Sequence, residues 1–325
     1  MDFMAGSCYG ISEAACESAR FQNAGPGTMP MDPQRQCFVK CIHSLRVSTH
    51  FGRKPLHICF YLHSRHRPTG TTMDYTLKAE GDFKFIEEGE GKPLVLLHGL
   101  FGALSNFRDV VEHFSKTHKV VIPMLPLYSM PVLTTGVKSI AHFLHEFIQY
   151  KRFEKVNLLG NSLGGHVALI YAREHPTNVK SLILTASSGL YENAFGSSFP
   201  RREDKEFIRQ KVAVTFFDPK HATDELVDEC FEVVNDRNRV LRILALAKSA
   251  IRHNMAKDLP AMSMPSCLIW GKNDTITPPD VAEEFHALLP NSTLYWIDKC
   301  GHAPMMEHPQ EFNTLLGNWM KEHHL

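Results

Sequence analysis

The sequence predicts an α/β fold: a mostly parallel central sheet flanked by helices, with a helical cap inserted before the last strands. Three observations carry this expectation. Short continuous apolar runs recur along the chain, as expected of strands buried on both faces. Amphipathic segments with helical spacing lie between them. One interval, residues 190–262, interrupts the alternation with several helical patterns and no convincing strand.

The elements follow in order. Phe83-Lys84-Phe85-Ile86 alternates and ends at Gly89-Glu90-Gly91, which reads as a strand and a turn. Pro93–Leu97 is the first continuous apolar run; Lys119–Pro123, Val156–Leu159 and Ser181–Leu184 repeat the pattern. Cys267–Trp270 and Thr293–Ile297 are the late runs. Val137–Tyr150 places Ile140, Phe143, Leu144, Phe147 and Ile148 on one helical face, and His166–Glu174 is a second helix stopped by His175-Pro176. Inside the interrupting interval, helices are expected over Asp204–Phe216, Asp224–Asn235 with Thr223 as N-cap, and Asn238–His253. So long an interval between two strands reads as a lid over a site rather than as one crossover.

Composition narrows the class. The 325 residues are 43% hydrophobic and 22% charged, which fits one large core with an inserted subdomain. Lys+Arg and Asp+Glu are both 35, so no basic field exists to collect nucleic acid, and a nucleic-acid partner is not expected. No run of about 18 or more apolar residues appears, so no membrane span is expected.

The first 72 residues differ in texture. They carry Cys8, Cys16, Cys37, Cys41 and Cys59, and from Pro33 to Thr72 they contain Arg and Lys but no carboxylate. Gly25-Pro26-Gly27 and Met29-Pro30-Met31 break any helix. Cys37-x3-Cys41 with nearby histidines fits no standard zinc spacing, so no metal is expected. Residues 1–72 are read as a poorly ordered leader, or an extension upstream of a start at Met73. Their composition also fits a transit peptide, although Glu13, Glu17 and Asp32 weigh against one. Cys230, Cys267 and Cys300 in the body complete no disulfide framework, so a reducing compartment, the cytoplasm, is expected.

Chemistry is concentrated at strand ends. Gly160-Asn161-Ser162-Leu163-Gly164-Gly165 follows the Val156–Leu159 strand and opens a helix. A serine at a tight strand-to-helix turn is forced into a strained backbone and needs neighbours without side chains, and its hydroxyl then projects clear of the sheet. A phosphate loop would need Lys where His166 stands. Serine needs a base and the base an orienting acid. In the chain order of such sites, Asp274 follows the Cys267–Trp270 strand and His302 follows the Thr293–Ile297 strand. Asp280 falls within the next helix, Asp298 ends its strand too early, and Asp218 is a distant alternative from the lid. His98, His166 and His308 are read as structural. The turn His98-Gly99-Leu100-Phe101-Gly102 ends the Pro93–Leu97 strand, and the amides of Leu100 and Leu163 are the expected donors to an oxyanion. Phe101 is a weaker second donor and a substrate-contacting residue.

These motifs resemble the α/β-hydrolase superfamily from about Tyr75 to the C-terminus: HGLFG at 98–102, GNSLGG at 160–165, WGKND at 270–274 and GH at 301–302. The resemblance implies a hydrolase core over 73–189 and 263–325 and a helical cap over 190–262. Two serine-nucleophile branches look close. One is the capped small-molecule carboxylesterases. The other is the hydrolases that cleave carbon–carbon bonds of ring-fission products, which Asn161, Asn106-Phe107 and Lys299-Cys300-Gly301-His302 resemble. Leu100-Phe101-Gly102 departs from that second branch, and Pro123-Met124-Leu125-Pro126-Leu127-Tyr128 lacks the superfamily's usual Asp and glycine turn. The expectation is a serine esterase acting on small carboxylic esters through an acyl-enzyme, with no metal or organic cofactor. The alternatives are carbon–carbon cleavage of dienoates, lactone hydrolysis, or a ligand receptor that keeps an intact triad. The Phe-rich cap (Phe195, Phe199, Phe216, Phe217) favours an apolar acyl or alcohol group, or serves only as cap core.

Overall fold

The structure is a computed structural model that describes residues 75–101, 104–192 and 201–325. The readings of residues 1–72 as a leader and of Phe195 and Phe199 as cap residues lie outside the described residues.

Eight strands form one sheet in the order β1-β2-β4-β3-β5-β6-β7-β8. They are β1 (Lys78–Glu80), β2 (Phe83–Glu88), β3 (Pro93–Leu97), β4 (Lys119–Pro123), β5 (Val156–Asn161), β6 (Val179–Thr185), β7 (Ser266–Gly271) and β8 (Ser292–Ile297). The β1–β2 and β2–β4 pairs are antiparallel, and every pair from β4 to β8 is parallel. The sheet is therefore mostly parallel, as its apolar runs require.

Alternation explains why those runs are continuous. Val95, Leu97, Leu158, Leu182, Leu184, Leu268 and Trp270 point into one core. Leu94, Leu96, Leu159, Ile183, Cys267 and Ile269 point into the other. A strand with helices on both faces has no polar side to offer. Leu94 to Leu97 are all fully buried, and each such side chain stabilises the fold by about 1.5–3 kcal/mol relative to exposure. The polar residues that interrupt these strands are paired: Ser181 Oγ donates to Asn157 Oδ1 at 2.8 Å.

Helices α1 (Arg108–Phe114), α2 (Val137–Tyr150) and α3 (Leu163–Glu174) cross over between strands, and α7 (Pro279–Leu288), α8 (Pro304–Glu307) and α9 (Pro309–Glu322) follow the late strands. Between β6 and β7 lie α4 (Lys205–Ala213), α5 (Asp224–Asn235) and α6 (Arg237–Arg252). Their starts are capped by side chains, at Thr223 as expected and at Asp204 and Asp236 as well. Asp204, Thr223 and Asp236 side chains accept first-turn amides. Helix α4 ends at Ala213 rather than Phe216, because the following turn is used elsewhere: the Thr215 carbonyl accepts the His302 amide at 2.8 Å. No helix among the described residues is long and apolar enough to cross a membrane. Cys230, Cys267 and Cys300 are free and buried.

Candidate active site

In a parallel sheet the carboxyl ends of the strands share one edge, and loops from several strands meet there. Ser162 stands between β5 and α3 with φ 53° and ψ −122°, a left-handed conformation that costs a non-glycine residue about 1–3 kcal/mol. The surrounding glycines make this turn possible. A Cβ on Gly164 would fall on the Leu97 carbonyl, and one on Gly160 against the backbone of Gly164 and Gly165. Gly99 packs directly over Ser162, where a Cβ would meet the serine Cβ at 3.2 Å.

Asp274 and His302 are brought together. His302 Nδ1 lies 2.9 Å from Asp274 Oδ2, and both side chains are buried. The carboxylate is held from every side: Oδ1 accepts the amides of Ile276 at 2.8 Å and Thr277 at 3.0 Å, and Oδ2 also accepts the Thr277 hydroxyl at 2.8 Å. Trp270, inside the core, fixes this turn by donating its Nε1–H to the Thr277 carbonyl at 2.8 Å. With four donors on its two oxygens the carboxylate is fixed in place, and it orients the imidazole accordingly.

Ser162 and His302 line the same cavity of about 220 Å³, together with Gly99, Leu100 and Phe101. Among the described residues the Ser162 hydroxyl makes no hydrogen bond to His302. Leu100 is held from behind by Tyr128, whose hydroxyl donates to the Leu100 carbonyl at 3.1 Å. The adjacent Leu125 amide donates to His98 Nε2 at 3.4 Å. The unusual loop after β4 thus braces the turn at residues 98–100. Burial raises the Tyr128 phenol to about 12, so it remains a donor at any physiological pH. Leu163, 1% exposed, opens α3. Its amide is one of the first-turn N–H groups that a helix leaves without an internal partner, at the positive end of the helix dipole.

The weighed competitors lie elsewhere. Asp218 pairs with Lys220 at 2.7 Å, Asp298 with Lys272 at 3.7 Å, and Asp280 sits in the exposed first turn of α7. His98 is buried against Gly99 and Leu125, His166 faces His253 at 3.0 Å, and His308 faces the Lys299 carbonyl at 2.9 Å.

Several residues that support the site were not legible as such in the sequence. Asn161 Nδ2 donates to the carbonyls of His302 and Thr185, both at 3.1 Å, and ties the serine strand to the histidine loop. Glu307 is buried, and its Oε1 accepts the Gly301 amide at 2.7 Å. Its Oε2 accepts the amides of Phe217 at 2.8 Å and Asp218 at 3.4 Å. One carboxylate thereby joins the His302 loop to the segment that follows α4. Glu192 also lines the cavity, bound to Ser188. A lone Glu in a strand-exit loop carries no pattern that would have singled it out. The remaining wall is mainly aliphatic and aromatic, with Ile208, Val212, Phe216, Leu226, Ile243 and Ile276 among its residues; Lys211 and Lys248 stand in the same lining, half-buried and exposed. Among the described residues no group of three or more His, Cys, Asp or Glu is placed to hold a metal ion.

Residues 92–220 and 230–309 match the family model described as alpha/beta hydrolase fold. The crystal structure of an alpha/beta hydrolase enzyme from the metagenome of sediments from the lagoon of Mar Chica, Morocco, is 51% identical. It covers 77% of this chain and 100% of its own, with a TM-score of 0.65. Monoacylglycerol lipase abhd6-B of Xenopus laevis is 26% identical over 292 residues, 78% of this chain and 83% of that protein. A 2-hydroxy-6-oxononadienedioate/2-hydroxy-6-oxononatrienedioate hydrolase of Pseudomonas sp. is 28% identical over 261 residues, 74% of this chain and 92% of that protein.

Proposed function

The chain belongs to the alpha/beta hydrolase fold family, and from that membership we propose that it is a serine hydrolase of small carboxylic esters. The observation that carries the reading is the strained Ser162 turn sharing one cavity with the hydrogen-bonded His302–Asp274 pair. In this reading the Ser162 hydroxyl attacks the ester carbonyl and its proton passes to His302. The amides of Leu100 and Leu163 hold the oxyanion of the tetrahedral intermediate. Collapse expels the alcohol, which takes the proton from His302 and leaves an acyl-enzyme. Water then attacks, His302 removes its proton and returns it to Ser162, and the acid departs. Asp274 keeps the imidazole in the tautomer that presents Nε2 to the serine. Nucleophile–base contacts of this kind tighten as substrate binds.

The helices between β6 and β7 act here as a cap, and their apolar side chains take up the acyl or alcohol group of the ester. No step calls for a metal or an organic cofactor. A second reading, carbon–carbon cleavage of ring-fission dienoates, draws on the Pseudomonas relative and on Asn106 and Asn161 in the cavity lining. The wall is otherwise mostly apolar, which favours a neutral ester over a diacid.

The test is turnover of a short-chain p-nitrophenyl ester by the native protein and by Ser162→Ala, alongside a lactone and a ring-fission dienoate. Multiple turnover that Ser162→Ala lowers by roughly 10⁴-fold or more is expected. A much larger kcat/KM for the dienoate or the lactone would replace the ester reading. A single slow labelling event without turnover would point to a ligand receptor.

A further inference from the structure

The catalytic reading uses one carboxylate, Asp274, and leaves a second one facing the same cavity. Glu192 follows β6 and reaches back toward the serine turn. Its Oε2 accepts the Ser188 hydroxyl at 2.5 Å, and the Ser188 amide in turn donates to the Ser162 carbonyl at 3.1 Å. The carboxyl group is thus tied through Ser188 to the turn that carries the proposed nucleophile, and both line the same cavity. Its other oxygen, Oε1, makes no hydrogen bond among the described residues. Much of the surrounding lining is apolar, as Ile208, Val212 and Ile243 illustrate.

Oε1 is not among the fully buried unpaired atoms, so it stands open to the cavity, where an acceptor among apolar side chains is best met by a donor. Burial pushes the Glu192 carboxyl up from the usual carboxylate range, and the Ser188 hydroxyl and nearby His302 only partly offset this. Water can serve as the donor, but a substrate hydroxyl placed there would replace water without leaving an unpaired group. The lining also argues for a neutral donor rather than a cation. Lys211 and Lys248 share it, and His302 must itself take up a proton during turnover, so a further positive charge would meet repulsion.

We infer that Glu192 is a specificity residue whose free oxygen accepts a hydrogen bond from a hydroxyl group close to the scissile bond, making neutral hydroxy esters the preferred substrate class and disfavouring esters with a carboxylate at that place. The inference rests on the ester reading of Ser162 and His302. It names a property of the substrate that the triad leaves open.

The experiment compares kcat/KM by pH-stat titration for ethyl butyrate, 2-hydroxyethyl butyrate, ethyl 3-hydroxybutyrate and monoethyl succinate. The native protein should favour at least one hydroxy ester over ethyl butyrate by about tenfold, the size expected for a hydrogen bond to a charged acceptor. Glu192→Leu should erase that ratio. Glu192→Gln keeps the side-chain shape and a partner for Ser188 but removes the charge, so it should raise the ratio of monoethyl succinate to ethyl butyrate by about threefold or more. If Glu192→Leu does not fold, the Gln ratio decides. Unchanged ratios in the folded variants, or no hydroxyl preference in the native protein, would overturn the inference while Ser162-dependent turnover of ethyl butyrate kept the ester reading intact. No turnover of any of the four esters would instead bring down the ester reading itself.

Discussion

Strands β5 and β7 are buried at every residue, whereas the helices between β6 and β7 and their connections leave Val214, Phe217, Leu241 and Ile251 between 44% and 55% exposed. The first region holds Ser162 and the Asp274 turn at the ends of strands that cannot shift without opening two cores. The second supplies side chains to the cavity wall from helices that also carry exposed apolar residues. Position is therefore fixed by the sheet and shape by the insertion. Substitutions at the strand ends should change rate, and substitutions on α4–α6 should change selectivity.

The sharpest way to break this division is Asp274→Asn. The four donors around the carboxylate include two that an amide NH2 cannot accept in the same geometry, and the imidazole loses its tautomer control. Ester kcat should fall roughly 10³–10⁴-fold with the far-UV spectrum unchanged. A loss below tenfold would mean that the strand-end region does not carry the chemistry.

A second test probes the seam between the regions. His166 on α3 is fully buried and meets His253, which follows α6, at 3.0 Å. Burial first, then the neighbouring His253, push His166 down to about 3 from an ordinary 6.5. Between those values the unfolded chain holds the extra proton. The stability that comes from keeping His166 neutral is complete above pH 6.5 and is lost as the pH falls toward 3. The slope is at most about 1.4 kcal/mol per pH unit. Urea titrations from pH 7 to pH 4 should show His166→Gln with a flatter acid limb than the native protein. An identical limb would remove His166 from the acid response.

The smallest expected effect belongs to the insertion. Ile243 on α6 is 4% exposed and lines the cavity. Ile243→Ala should shift the ratio of kcat/KM for a hexanoate over an acetate ester by about threefold to tenfold, the size of a few methylene contacts. Equal loss on both esters would show that α6 acts on rate, not on shape.

The two regions also differ in how much of each is legible in the sequence alone. β3 and β4 have the boundaries their apolar runs imply, because a strand covered on both faces must be apolar from end to end. The turn around Ser162 was legible because backbone crowding excludes side chains at Gly160 and Gly164 whatever the rest of the fold does. β1 has no pattern to betray it, being three residues of an edge of which two are exposed. In the insertion, the α5 bounds Asp224–Asn235 follow from its Thr223 cap and apolar stripe, whereas α4 stops early for a reason that lies 87 residues downstream, at the His302 amide. Long-range partners such as Tyr128 with Leu100 and Glu307 with Phe217 leave no periodic trace in the chain. The loop at 123–128 was recognisable as unusual, but its bracing of residues 98–100 needed the folded molecule.

The Glu307 bridge bears on how such a protein can be altered by evolution or by design. Exchanging the whole stretch between β6 and β7 for that of a distant homologue would replace the turn that presents two backbone amides to this carboxylate, and with it the link to the loop carrying His302. A graft that begins after Asp218 would keep the bridge and leave α5 and α6 open to replacement. New substrate preferences are therefore most readily reached by changing the far half of the insertion.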